Sequence, residues 1–179
     1  CALPILLVGG PRSQFAEATT FPTIRYHLTV ERMLADAGIA CDYVEAGIVA
    51  DICAHEATAR AIFERYSDVD ALVGSDLVAS VALQEALRRG VSVPRDLQII
   101  AYDGTFMAET AGMRLTAVRQ DFPAVAAALA SRMDSQIAAD NGTTSAAAAE
   151  GGNAVAANGG QSTSEDIISV TLIPGETTR

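Results

Sequence analysis

The chain has 179 residues, 12 Lys plus Arg against 22 Asp plus Glu, a formal net charge of −10 and 50% hydrophobic residues. That hydrophobic share excludes an intrinsically disordered chain, and the charge excludes a stand-alone nucleic-acid binder, since phosphate neutralisation needs a clustered positive patch and every basic residue here is a scattered Arg. Aromatic residues make up 5% with no Trp, so a core must come from Leu, Ile and Val, and Cys1, Cys41 and Cys53 carry no Cys-x-x-Cys spacing. We read them as buried small hydrophobes in a reducing, cytoplasmic setting.

Short apolar runs then alternate with helical patterns, the signature of βα units and a parallel sheet covered on both faces. Pro4 to Val8 is the first strand; it starts without a cap or turn, as if the chain start were not the natural one, and runs into Gly9-Gly10-Pro11. The apolar run from Cys1 is about eight residues long, too short for a signal peptide or a membrane span. A helix over about Pro22 to Ala37 is started by Thr19, Thr20 and Pro22 and stopped by Gly38. Cys41 to Glu45 is the second strand, and Ile52 to Tyr66 a second helix with Ala57, Ala61, Ile62 and Tyr66 at helical spacing. Asp70 to Gly74 is the third strand, after which Ser75 or Asp76 caps a helix that runs to Arg89 and ends at Gly90. That helix carries Leu77, Val78, Ala79, Val81, Ala82, Leu83, Ala86 and Leu87, a wider apolar arc than one sheet face needs. The surplus points to a subunit interface.

Leu97 to Tyr102 is the fourth strand. Asp103-Gly104 opens a loop with a short helical turn, and Leu115 to Val118 is extended. The last helix begins near Phe122-Pro123 with a stripe of Val125, Leu129, Met133 and Ile137 that must bury against something. From Asp140 to Thr163 only Val155 is a large apolar residue, which predicts a flexible linker, followed by a strand over Ile167 to Ile173 and a polar tail. In an open parallel sheet, ligands bind beyond the carboxyl ends of the strands. Gly9-Gly10, Ser75-Asp76 and Asp103 are therefore the residues to watch.

The segment Asp70-Ala-Leu-Val-Gly-Ser-Asp-Leu through Gly90-Val-Ser-Val-Pro-Arg-Asp to Ala101-Tyr-Asp103 resembles the effector-binding region of the lac-repressor/galactose-repressor family of bacterial transcription regulators. That family shows a strand, an Asn/Ser-Asp pair, a helix ending in Gly, then Val-Pro-x-Asp, a strand and Gly-Tyr/Phe-Asp. Leu115-Thr-Ala-Val-Arg-Gln120 looks like its Leu-Thr-Thr-Val-x-Gln block, and Leu172-Ile-Pro-Gly-Glu-Thr-Thr178 like its closing block, with Gly175 where the family has Arg. The resemblance implies a periplasmic-binding-protein-like α/β core of two subdomains with a small molecule, commonly a sugar or nucleobase, in the cleft between them. Residues 1–120 would be mostly the C-terminal subdomain, 121–139 a helix returning to the N-terminal subdomain, 140–163 the linker and 164–179 the final strand and tail. The DNA-reading headpiece and most of the N-terminal subdomain would lie outside this chain.

Carried over position by position, the resemblance implies ligand contacts from Arg25, Ser75, Asp76, Asp103, Gln120 and Phe122. Leu28 stands where the family has the Gly that follows its Arg by three residues. A guanidinium offers donors in a fixed fork, a carboxylate accepts from two vicinal hydroxyls, and the Phe122 ring offers an apolar platform. Plainer readings stand beside these: Asp103 as the turn former of Asp-Gly, Asp76 as an N-cap, Arg25 as a solvated helix residue and Phe122 as core. Cys41, Cys53 and His55 lack a standard metal spacing, and Gly9-Gly10 lacks the rest of a phosphate-binding loop. No Gly-x-Ser-x-Gly elbow is present, and His27 and His55 are the only histidines, so catalysis has little support; the carboxylates Asp76 and Asp103 are its one opening. The expectation is a cytoplasmic, homodimeric sensor, paired through the 76–89 helix, that takes a sugar or glycoside, no metal and no cofactor, and touches DNA only through its headpiece. A transport-type solute-binding protein of the same fold is the alternative.

Overall fold

A computed structural model describes residues 5–12, 22–46, 51–110, 112–149 and 168–179. Its elements are β1 (Ile5–Gly9), α1 (Pro22–Asp36), β2 (Cys41–Glu45), α2 (Ile52–Arg65), β3 (Ala71–Ser75), α3 (Asp76–Arg88), β4 (Gln98–Asp103), α4 (Met107–Thr110), β5 (Thr116–Gln120), α5 (Phe122–Ala149) and β6 (Val170–Ile173). The strands form one six-stranded sheet in the order β2-β1-β3-β4-β5-β6. β1 pairs in parallel with β2 and β3, β3 with β4, and β4 with β5, the α/β class read from the sequence. Because β1 lies between β2 and β3, the chain reverses its direction of travel across the sheet there, which opens a crevice beyond the carboxyl ends of β1 and β3.

By contact the chain divides into two compact units, Cys1–Arg119 with Thr171–Arg179, and Gln120–Val170. In the first, strand alternation sends Leu6, Val8, Leu72, Ile99 and Ala101 to one face, where they pack with Ile62 of α2 and Val78, Ala79, Ala82 and Leu83 of α3. Leu7, Val73 and Tyr102 alternate to the other face and are buried as well, so strands between two covered faces read as unbroken apolar runs. The tail is tied in by its own polar atoms. Thr177, fully buried, donates its hydroxyl to the Ile99 carbonyl at 2.6 Å and accepts from the Thr116 amide at 2.9 Å. Gly175 packs so closely on Arg114 and Leu115 that a Cβ there would overlap their backbone, which explains the absence of a side chain where the resembled family carries Arg.

Several expectations change. The broad apolar arc of α3 is covered by the chain itself: Val78, Ala79, Val81, Ala82, Leu83 and Ala86 are buried under α2, α4 and the sheet, and Leu87, 44% exposed, is the large apolar side chain left outside. Most of the surplus read from the sequence is thus taken up within the chain, with Leu77 half-buried and Leu87 outside. On α2 the buried residues are His55, Ala59 and Ile62, not Ala57 and Ala61, because the helix is rotated so that its partner α3 meets the 55/59/62 row. Cys53 precedes that row and is exposed, and Cys41, at the start of the edge strand β2, is half-buried, so neither is the buried hydrophobe expected; Cys1 lies outside the described residues.

In the second unit, Asp121 caps α5 by accepting from the Ala124 amide at 3.0 Å. The helix runs to Ala149, ten residues into the segment expected to be linker, because the alanines at its end carry the highest helix propensity. The remainder of that segment, 150–163, and the expected strand start at Ile167 lie outside the described residues. The stripe expected to bury is open: Leu129, Met133 and Ile137 are each more than half exposed.

Candidate functional site

Beyond the carboxyl ends of β3 and β4, Ser75 sits in register with Tyr102, one residue before Asp103. The roles of the Ser75-Asp76 pair are divided by geometry. Ser75 is the N-cap of α3, its hydroxyl accepting from the Val78 amide at 3.4 Å, the cap also considered for Asp76. Asp76 is instead buried, 3% exposed, and its carboxylate reaches across to the loop after β4. It accepts from the Gly104 amide at 3.2 Å, the Thr105 amide at 2.5 Å and the Thr105 hydroxyl at 2.6 Å. Both carboxylate oxygens already hold donors, so they tie a loop rather than face solvent.

The tied loop carries Asp103. Asp103 is half-buried with φ 104°, a left-handed backbone that a side-chain-bearing residue adopts only when its surroundings enforce it. From the other side Arg119 of β5, in register with Asp103, donates its Nε to the Gly104 carbonyl at 3.1 Å and pairs with Glu109 at 2.9 Å. Asp76 of α3 and Arg119 of β5 therefore grip the same loop from two sides. Such a loop presents a carboxylate at a set height above the strand ends, where paired hydroxyls can donate to both of its oxygens.

Next to it, across β3 from β1, is a set of aromatic rings. His27 of α1 is fully buried, with Nε2 2.9 Å from the Tyr102 hydroxyl. Tyr26 leans on Tyr102 with ring centroids 4.5 Å apart, and His27 meets the Tyr43 ring edge-on at 5.6 Å. The Tyr43 hydroxyl donates to the Gly10 carbonyl at 2.7 Å, and the Arg12 guanidinium lies 4.4 Å over the Tyr43 ring while pairing with Glu31. Gly9 makes this packing feasible, because a Cβ there would overlap both the His27 ring and the Tyr43 hydroxyl. Burial holds the His27 pKa down to about 4 against a weaker pull upward from Glu31, and pushes the Tyr43 phenol up to about 12. Burial, and then the Asp103 carboxylate beside it, raises the Tyr26 phenol.

Ser75, Asp76 and Asp103 are brought together at two adjacent strand ends. Arg25 lies on α1, one residue before Tyr26, and its side chain is outside the described residues. Gln120, at the end of β5 and exposed, and Phe122, the first residue of α5 and 51% exposed, belong to the second compact unit. Sequence reasoning passed over His27, Tyr102 and Arg119; the one signal was adjacency, since His27 follows Arg25 by two residues and Tyr102 directly precedes Asp103. Among the described residues no group of three His, Cys, Asp or Glu side chains could hold a metal ion, and no helix is long and apolar enough to cross a membrane. A separate cavity of ≈ 330 Å³ lies at the opposite end of the strands, lined by Phe63, Tyr66, Leu72, Val91 and Leu97 among others.

A family model described as a periplasmic binding protein-like domain matches residues 5–155. Over 49 residues the chain is 45% identical to the ribose operon repressor of Bacillus subtilis (strain 168), a match that covers 27% of this chain and 15% of that protein. The crystal structure of a periplasmic binding ribose operon repressor protein from Lactobacillus acidophilus is similar with a TM-score of 0.72 at 20% identity, covering 99% of this chain and 56% of the other. A LacI family transcriptional regulator from Arthrobacter sp. FB24, in complex with lactose, gives 0.73 at 18% identity, covering 99% and 59%. At these identities the solved structures establish the fold, and this chain spans little more than half of theirs.

Proposed function

The chain belongs to the periplasmic binding protein-like domain family, and from that premise we propose that it is the effector-sensing part of a cytoplasmic transcription regulator whose ligand is a sugar or glycoside. The observation that carries this reading is the loop after β4, held by three bonds to Asp76 and by Arg119 in a conformation that Asp103 would not adopt unaided. A binding protein needs such preorganisation, because a recognition group that must be ordered on binding gives back affinity. Asp103 accepts ligand hydroxyls and Arg25 donates to them. The lactose in the Arthrobacter regulator supports a sugar. The names of the two ribose operon repressors and the LacI family regulator that the chain resembles favour this reading over a transport-type solute-binding protein or an enzyme.

Regulation then follows from differential affinity: a ligand bridging two subdomains favours the arrangement in which both touch it, and biases a DNA-binding part joined to them. DNA contact itself falls to a headpiece outside this acidic chain, and paired headpieces require a dimer. A thermal-shift screen of sugars and nucleobases on the complete protein, repeated with Asp103→Ala, tests the reading. A sugar should raise Tm in the parent and not in the variant; a sugar response that survives the substitution removes Asp103 from the site, and a response to nucleobases alone replaces the ligand class.

A further inference from the structure

His27 is a polar ring in a place where a hydrophobe would satisfy packing. Its Nδ1 is buried with no hydrogen-bond partner among the described residues, while Nε2 faces the Tyr102 hydroxyl at 2.9 Å. The bond to Tyr102 is therefore the polar contact that holds the imidazole in place among the described residues. The bond joins parts of the fold that are otherwise apart. α1 packs chiefly on β1 and β2, whereas Tyr102 belongs to β4, which is separated from β1 by β3. Around it, Gly9 has no Cβ to obstruct the imidazole, Tyr43 meets the ring edge-on, and Tyr26 covers Tyr102.

The two ends of the bond are next to the two residues assigned to the ligand. Arg25 precedes His27 by two positions on one helix, and Asp103 follows Tyr102 directly. Resting on the ligand reading above, we propose that the His27–Tyr102 hydrogen bond is a positioning device, which locks the helix carrying Arg25 to the strand end carrying Asp103 so that donor fork and carboxylate meet a ligand at one separation. A separation held in this way selects among sugars by the spacing of their hydroxyls. Neither His27 nor Tyr102 needs to touch the ligand. Asp76 and Arg119 hold the loop to α3 and β5; the His27 bond, with Tyr26 stacked on Tyr102, refers it to α1.

The test uses the complete protein with His27→Phe, Tyr102→Phe, the double variant and His27→Gln, the last keeping a side-chain N–H of similar reach. Amide hydrogen exchange at Gly104 and Thr105, and affinity for D-ribose and lactose, are measured in each. Either Phe variant should speed exchange at both amides about tenfold and weaken the Asp103-dependent binding by a similar factor, as expected for loss of one hydrogen bond. The double variant should be no worse than either single one, and His27→Gln should recover most of the loss. Unchanged exchange at Gly104 and Thr105 in both Phe variants, or additive losses in the double variant, would overturn the proposal. Absence of any sugar binding by the parent protein refutes the ligand reading instead, and the exchange measurements still decide whether the bond positions the loop.

Discussion

The two ends of the parallel sheet differ in what they hold. At the amino end, where α2 and α3 finish, the ≈ 330 Å³ cavity has aromatic and aliphatic walls. Its charged residues are already paired, Arg89 with Glu85 and Glu64, and Asp96 with Arg95. At the carboxyl end, polar groups converge under constraint: a left-handed Asp103, a buried carboxylate at Asp76 with three donors, and a buried imidazole bonded to a phenol. Volume is what two splayed helix ends leave behind without any selection for a ligand. Buried, hydrogen-bonded polar groups are costly to assemble, so their gathering around one half-buried carboxylate supports the proposed ligand site at this end.

The contrast breaks most completely at Asp76. Asp76→Ala strands the Gly104 and Thr105 amides and the Thr105 hydroxyl, and should destabilise the chain by about 3–5 kcal/mol in urea unfolding while abolishing ligand response. A loss no larger than that of an ordinary surface substitution would mean that the loop is not held from this side. Next in size is an effect of pH on His27. Burial holds its folded pKa near 4, below the ordinary 6.5, so as pH falls the unfolded chain takes up the proton first. Stability is therefore intact above pH 6.5, declines between 6.5 and 4, and levels off below, by about 3 kcal/mol in total at about 1.4 kcal/mol per pH unit. The same unfolding series with His27→Phe should lack this decline; parallel curves for the two proteins would place the acid sensitivity elsewhere.

Much of the fold was legible because it is local. Each strand of the sheet's parallel part falls within two residues of its apolar run, and Gly38 and Gly90, both with positive φ, follow α1 and α3 where the helix-stop signals lie. What periodicity does not carry is the identity of the neighbour. The arcs of α3 and α5 are comparably apolar, yet α3 is sealed by α2 and α4 while Leu129, Met133 and Ile137 of α5 stand open. The site shows the same limit. Asp103 is marked by its neighbours in sequence, but the choice of cap between Ser75 and Asp76 is made by Thr105, almost thirty residues away, whose amide and hydroxyl draw the carboxylate off the helix end. His27 was invisible as a positioning group because its partner Tyr102 is more distant still.

Two smaller substitutions sharpen the comparison from either end. Tyr102→Phe keeps shape at the carboxyl end but leaves the buried His27 Nε2 without its hydrogen-bond partner, so it should cost about 1–3 kcal/mol, more than a methyl-scale change at the other end and with the loss concentrated in ligand response. Val91→Ile adds one methylene at the cavity wall, beside Leu72 and Leu97. Apolar volume there is open to be filled, so the added group buries without displacing a neighbour and should shift stability by less than about 1 kcal/mol, in the stabilising direction. Because the charged residues lining the cavity, Arg89 and Asp96, are held by other protein charges, the substitution should leave the sugar response of the complete protein unchanged. A Val91→Ile variant that alters sugar affinity would show that the amino end takes part in ligand sensing, and that the cavity rather than the polar cluster locates the ligand.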